Sequence, residues 1–351
     1  MFGVSAAVTA IVKTIAKRSG FVSRPREDRY HRSVIALGGG TAIFWTIALF
    51  VVIGVVLIEF AQSSAFLKRL SVDAGINLAD FKAKTNQIWV ILGGLAVLHL
   101  LGLWDDMKRL GPYIKLAVQF AVAIGFAVFA DVRVELFIYS KAVTTILSAV
   151  WIVFLINSFN FLDNMDGLAA GISLICGAIL FWAAAASGQV FVAAFAIVFL
   201  GAVAGFLLHN FPPASIFMGD AGSLVIGACL GILTLRTTYY DQTQAGGVYA
   251  VFMPLVVMAV PVYDFLTVTA LRISQGKSPL VGDTQHFSHR LQRRGLDDRQ
   301  TVLTLYLATL CTALAASFLS QVSFAGAIAV FAQTLMILGI IAILEFAKPD
   351  K

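Results

Sequence analysis

Apolar residues in this chain come in unbroken blocks near the roughly 20 residues that carry an α-helix across a hydrocarbon core of about 30 Å. Ten blocks stand out, at about residues 36–60, 87–104, 113–130, 142–159, 167–187, 190–208, 222–236, 248–271, 301–320 and 323–346. Residues 1–19 make a shorter segment and predict a truncated or tilted first helix. Lys13, Lys17 and Arg18 follow its apolar part instead of preceding it, so it does not read as a secretory signal. The ten-residue alternation of a membrane β-barrel is absent. The pattern predicts an all-α, polytopic membrane bundle of ten or eleven transmembrane helices, with one integral membrane domain over residues 1–351 and no internal repeat.

Composition agrees: 59% of residues are hydrophobic and 13% charged, against about 25% charged in soluble domains. Cys176, Cys229 and Cys311 lie far apart in apolar blocks, which argues against a disulfide framework or a thiol metal site. When loops are assigned alternately to two sides, eighteen of the 25 Lys and Arg residues fall on the side holding the loops after the odd-numbered helices and the C-terminal tail. The positive-inside rule puts that side in the cytoplasm. Topology thus accounts for part of the net charge of +6, and nucleic acid is not implied.

Five unusual polar stretches fall in the five loops of that side, a sorting that scattered structural polar residues would not show. The first is an arm with Arg24, Arg26, Arg29 and Arg32, followed by Gly38-Gly39-Gly40. It suits a phosphate, or simply a basic anchor with glycines that ease helix packing. The second is Asp105-Asp106-Met107-Lys108-Arg109, then Pro112 and Lys115. Pro112 suits the first position of a helix, which places Lys115 in a first turn where the macrodipole opposes a cation. That cation beside an acidic pair suggests a bound phosphate; the plain alternative is surface pairing of the acids with Lys108 and Arg109.

The third stretch holds Asn160, Asp163 and Asp166, three residues apart, which a helical turn would bring to one side. Helix capping is the plain alternative for both acids, though it leaves Asn160 unexplained. The fourth runs Phe217-Met218-Gly219-Asp220-Ala221-Gly222-Ser223. There Asp220 either caps the next helix or is the lone carboxylate typical of Mg²⁺ sites that take their other ligands from water and phosphate. The fifth includes Gly282, Asp283, Thr284, Gln285, His286, Ser288, His289 and Arg290, then Arg293-Arg294, and fits a phosphate-binding cluster better than zinc, a solvated basic loop being the plain alternative.

In order, Asp105-Asp106, Asn160-Phe-Leu-Asp163-Asn-Met-Asp166-Gly-Leu-Ala, Phe217-Met-Gly-Asp220-Ala-Gly-Ser223 and His286-Phe-Ser-His289-Arg290 resemble the signatures of the polyprenyl-phosphate N-acetylhexosamine-1-phosphate transferases, glycosyltransferase family 4. The His/Arg loop is most similar to the undecaprenyl-phosphate GlcNAc-1-phosphate transferase branch. This chain departs from the family pattern at Ser23-Arg24-Pro25-Arg26, where an Asp-Lys-Pro-Asn run is common, at Val34 and Ala36, where prolines are, and at Ser288, where a His is.

The resemblance implies transfer of HexNAc-1-phosphate from a UDP-sugar to undecaprenyl phosphate on the cytoplasmic face of a bacterial inner membrane, releasing UMP and initiating a cell-envelope glycan. It implies Mg²⁺, with Mn²⁺ as the substitute, held mainly by Asp220. Asp105 and Asp106 would position or deprotonate the lipid phosphate, an aspartyl-phosphate intermediate being the competing scheme. Lys115, Asn160, Asp163, Asp166, Phe217, Gly219, Ser223, His286, His289 and Arg290 would bind substrate. Some branches of the family dimerise, so a homodimer is an open expectation. The phospho-MurNAc-pentapeptide transferase of the same superfamily stays open as the activity. So do an ion-coupled transporter, in which the acids would stand mid-span, and an inactive lipid-binding scaffold.

Overall fold

The apolar blocks become helices because a segment in hydrocarbon must satisfy its own backbone. The structure, a computed structural model, describes residues 1–23, 34–66, 68–69, 78–134, 138–239, 247–278 and 286–346. The basic arm at Arg24, Arg26, Arg29 and Arg32, the stretch Gly282 to Gln285, and Lys348 and Lys351 lie outside these. The helices are α1 (Phe2–Ser19), α2 (Gly39–Ser63), α3 (Leu78–Ala83), α4 (Thr85–Met107), α5 (Pro112–Phe129), α6 (Lys141–Leu162), α7 (Leu168–Ala186) and α8 (Val190–Asn210). They continue as α9 (Asp220–Arg236), α10 (Met253–Val257), α11 (Ala259–Ser274), α12 (Phe287–Gln292), α13 (Asp298–Ser317) and α14 (Phe324–Phe346). A short hairpin pairs β1 (Val22–Ser23) antiparallel with β2 (Ile35–Ala36), and Ala36 bridges to Ile216 in the loop before α9.

The all-α membrane bundle is as expected. Eight of the described helices are long and apolar enough to cross a membrane, or nine when the bent pair around α10 and α11 is one span. The two remaining expected elements are α9 and α1. Helix α9 has 17 residues, and every one from Ala221 to Thr234 is buried; it is the pillar on which α2, α4, α6 and α7 pack. Helix α1 lies along α8: its Ser5 hydroxyl donates to the Ala202 carbonyl, and the Ala6 carbonyl is 3.1 Å from His209 Nε2. The first residues therefore sit beside the middle of α8, and the helix runs from there toward the end that carries the polar loops.

Block 248–271 reads as one straight span, and the structure bends it by 65°. Pro261 has no N–H to give the carbonyl four residues back. That carbonyl, on Val257, instead accepts from the buried Cys176 thiol at 3.3 Å. Other buried polar groups also tie helices together, as Asn157 Nδ2 does in donating to Gln119 Oε1 at 2.7 Å between α6 and α5.

Glycines let the walls close on the pillar. A Cβ on Gly40 would lie 2.1 Å from the Gly222 nitrogen, and one on Gly102 would lie 2.4 Å from the Asp220 carbonyl oxygen. Both contacts are with backbone, which cannot rotate away. Gly40→Ala is expected to lower the thermal midpoint, in line with about 1–3 kcal/mol for overpacking. An unchanged midpoint would mean that the first turns of α2 and α9 are not in such close contact.

Candidate active site

The cluster forms where α4 and α6 end and α5 and α9 begin. Asp106, Gly102 and His99 share the face of α4 turned to α9, by their spacing of four and seven residues. The first amides of a helix have no partner within it, and Asp106 supplies one from another helix. Its Oδ1 accepts from Asp220 N at 3.0 Å and its Oδ2 from Ala221 N at 3.2 Å. Two turns below, His99 stacks on Phe44 with ring centroids 4.6 Å apart and sets Nδ1 3.0 Å from the Ala221 carbonyl. Gly219 enters this turn at φ +71°, and a Cβ there would stand 2.5 Å from Asp106 Oδ2, so both its backbone and its surroundings require glycine.

Asp105 points elsewhere. Its Oδ1 accepts from Leu110 N at 2.7 Å, closing the turn into α5, where Pro112 takes the first helical position as expected. Its Oδ2 lies 3.2 Å from Lys115 Nζ, and the same ammonium bonds Asp220 Oδ2. The first-turn cation expected to signal a phosphate is thus offset by two carboxylates. Asn160 Nδ2 completes the group, donating to Asp220 Oδ1 at 2.9 Å and to Ser223 Oγ at 3.0 Å.

The helical turn expected to align Asp163 with Asp166 does not form. Helix α6 ends at Leu162, Asp163 is its C-cap, and Gly167, left-handed at φ 72°, starts α7. The two acids take different partners across this irregular turn. Asp166 Oδ2 accepts from Ala214 N at 2.8 Å and ties the turn to the loop before α9. Asp163 faces the cluster, where burial first, then the charges of Asp220, Asp106 and Asp166, hold its carboxyl well above the usual carboxylate range against the opposing Gly219 amide. Phe217 contributes through its backbone: its carbonyl accepts from Gly39 N and its amide donates to Ala36, each at 2.8 Å.

A second group lies beside the first. Phe161, next to Asn160, packs edge to face on His286 with centroids 5.7 Å apart, and the Arg272 guanidinium covers the Phe161 ring at 4.7 Å. The fully buried Asp264 of α11 accepts from His286 Nδ1 at 2.9 Å and from Phe287 N at 3.1 Å. Ser288 Oγ donates to Asn164 Oδ1 at 2.5 Å, joining α12 to the Asp163 turn. His289 sits 3.2 Å from Gln292 Oε1, and burial holds its imidazole below the usual range. Arg290 NH2 pairs at 2.9 Å with Glu345, whose side chain is fully buried in the last turn of α14. All the site residues expected from the sequence therefore gather at one end of the bundle, in two adjoining groups. Asp264, Glu345 and His99 were not among them.

Removing one partner of a buried ion pair leaves the other charge uncompensated, at about 3–5 kcal/mol. Glu345→Ala should accordingly lower the thermal midpoint much more than Glu345→Gln, which keeps an acceptor for Arg290. A wild-type midpoint in both variants would contradict a buried pair.

Among the described residues, no three His, Cys, Asp or Glu side chains form a ready cage for a metal ion. The donor set nonetheless fits Mg²⁺ or Mn²⁺, which take hard oxygens and commonly only one or two protein carboxylates. Asp105, Asp106 and Asp163 crowd around Asp220, and Lys115 bridges Asp105 and Asp220. Asp105 and Asp220 already share that cation and reach solvent, at 16% and 23% side-chain exposure, so theirs are the oxygens such an ion would meet.

The sequence model of a family described as glycosyl transferase family 4 matches residues 88–238, which include the whole carboxylate cluster. A probable undecaprenyl-phosphate N-acetylglucosaminyl 1-phosphate transferase of Bacillus subtilis is 31% identical over 309 residues, covering 86% of this chain and 77% of the relative. A decaprenyl-phosphate N-acetylglucosaminephosphotransferase of Mycolicibacterium smegmatis is 30% identical, over 97% of this chain and 85% of its own length. An undecaprenyl-phosphate alpha-N-acetylglucosaminyl 1-phosphate transferase of Escherichia coli K12 is 26% identical, over 87% and 77%.

Proposed function

The chain belongs to glycosyl transferase family 4, among the polyprenyl-phosphate GlcNAc-1-phosphate transferases, and from that premise we propose that it transfers HexNAc-1-phosphate, with GlcNAc the favoured sugar, from a UDP-sugar to undecaprenyl phosphate. UMP leaves, and the lipid-linked diphospho-sugar starts a cell-envelope glycan. The setting is the cytoplasmic face of a bacterial inner membrane, a reading supported by the bias of basic residues toward the end that holds the carboxylates. The observation that carries the proposal is the group formed by Asp105, Lys115, Asp220 and Asn160 at that end of a membrane bundle. A soluble nucleotide-sugar and a membrane-bound phosphate can both reach such a place. Carboxylates at helix ends also suit phosphoryl transfer better than ion-coupled transport, which needs them inside the span.

In the reaction, an oxygen of the lipid phosphate attacks the β-phosphorus. The bond from that phosphorus to the bridging oxygen breaks, and the oxygen leaves with UMP. A phosphomonoester has its second pKa at about 6, so the nucleophile is already ionised near neutral pH and no strong base is required. Mg²⁺, held by Asp220 with Asp105, would supply neutralisation of the diphosphate and of the charge on the leaving oxygen. Asn160 orients the Asp220 carboxylate through its amide. Asp106 acts on α9, fixing the turn from which Asp220 projects. Lys115 balances Asp105 and Asp220 and would pair with a substrate phosphate were those carboxylates neutralised by the metal ion. The surrounding loops, with Asp163, Asp166 and the His286 group, are assigned to the nucleotide-sugar.

The test is purified protein with sugar-labelled UDP-GlcNAc, undecaprenyl phosphate and Mg²⁺. Labelled lipid and UMP should appear in equal amounts. No product with any of a panel of UDP-HexNAc donors would overturn the proposal.

A further inference from the structure

Among the described residues, the His286 ring is hydrogen-bonded through Nδ1 alone. Its Nδ1 lies 2.9 Å from Asp264 Oδ2, while the other oxygen of that carboxylate accepts the Phe287 amide at 3.1 Å, the first of α12. Asp264 is fully buried, and a carboxylate can only accept, so the ring must carry its proton on Nδ1. No described residue engages Nε2. The ring meets Phe161 edge to face, one residue from the Asn160 amide that holds Asp220, which puts His286 on the border of the carboxylate cluster. On α11, Asp264, Val268 and Arg272 stand four residues apart and are all buried, so one stripe of that helix supports both His286 and the ring of Phe161.

We infer that Asp264 is a positioning residue: it locks His286 in the tautomer with Nδ1 protonated, so that Nε2 presents its lone pair as an acceptor to a hydroxyl or amide N–H donor of the sugar nucleotide. A carboxylate behind a histidine does this wherever the far nitrogen has work to do, fixing both ring orientation and proton placement. The role assigned to Nε2 rests on the transferase reading above; the tautomer does not. A free histidine prefers its proton on Nε2, so the carboxylate is needed to hold the opposite form.

The test uses full-length protein in nanodiscs with ¹⁵N- and ¹³C-labelled histidine. With five histidines in the chain, the His286 signals are assigned by their loss in His286→Gln. Wild type should show Nδ1–H at neutral to mildly alkaline pH. Asp264→Asn keeps one oxygen for the Phe287 amide and replaces the other acceptor with an NH₂ group, so α12 should remain capped while His286 loses the fixed tautomer. That variant should keep a near-wild-type thermal midpoint, lose about tenfold or more in kcat on the scale of general acid–base and hydrogen-bond contributions, and change KM little. Asp264→Ala should lose the midpoint as well. Nε2–H in the wild type, or an unchanged tautomer in Asp264→Asn, would overturn the positioning role even if transfer is confirmed. A fixed Nδ1–H tautomer with full kcat in Asp264→Asn would overturn the offer of Nε2 to substrate. The tautomer is read without turnover, so absence of transferase activity with every donor counts against the proposed function alone.

Discussion

Asp220→Ala is expected to abolish transfer and to leave the fold standing. The side chain projects from the first residue of α9, and its bonds are to Lys115 and Asn160 at the open end of the bundle. The turn itself is held by the Asp220 amide, which Asp106 keeps in the variant. An acid at a helix N-terminus contributes only about 0.3–1 kcal/mol, and Lys115 retains Asp105 as a partner, so the thermal midpoint should move little. Activity should fall on the order of 10³-fold or more, the scale of losing a principal electrostatic group at the reacting phosphates. Rates with saturating Mg²⁺, set beside a melting curve, check both halves. Wild-type activity would remove Asp220 from the reaction, and an unfolded protein would show that the carboxylate holds α9.

Asp106→Ala should fail in a different way, losing stability and activity together. Both carboxylate oxygens accept amides of α9, from residues 114 and 115 positions away in the chain. Truncation orphans two donors at a part-buried helix end, at about 1–3 kcal/mol each. The turn that presents Asp220 then loosens, and the rate falls with it. Asp106→Asn keeps one acceptor oxygen and should recover part of the midpoint. A truncation that spared the midpoint and removed only the rate would mean that Asp106 acts on substrate and not on α9.

The contrast between adjacent acids shows what the sequence could and could not disclose. That Asp105 and Asp106 belong to a site follows from their place in a polar loop on the same side as four other such loops. That one cements a helix and the other faces Lys115 depends on which side of α4 meets α9, a contact made far along the chain. The aligned Asp163 and Asp166 were a wrong expectation because α6 ends at Leu162 with Asp163 as its C-cap, so the helical periodicity stops before it reaches Asp166. Helices were legible from apolar length, yet the bend in block 248–271 was already signalled by Pro261. Asp264 and Glu345 were passed over because they lie inside apolar blocks. A carboxylate there is costly enough to be a functional candidate by itself, and both have their partners, His286 and Arg290, in the loop already singled out. Asn157, three residues before Asn160, belongs instead to helix packing.

The central claim is that a phosphate moves together with the sugar, and one label follows it. UDP-GlcNAc carrying ³²P at the β-phosphorus is incubated with the protein, undecaprenyl phosphate and Mg²⁺, and the products are separated into lipid and nucleotide. The account predicts that the label passes to the lipid and that unlabelled UMP is released. Label remaining on a released UDP would mean transfer of the sugar alone and would contradict it.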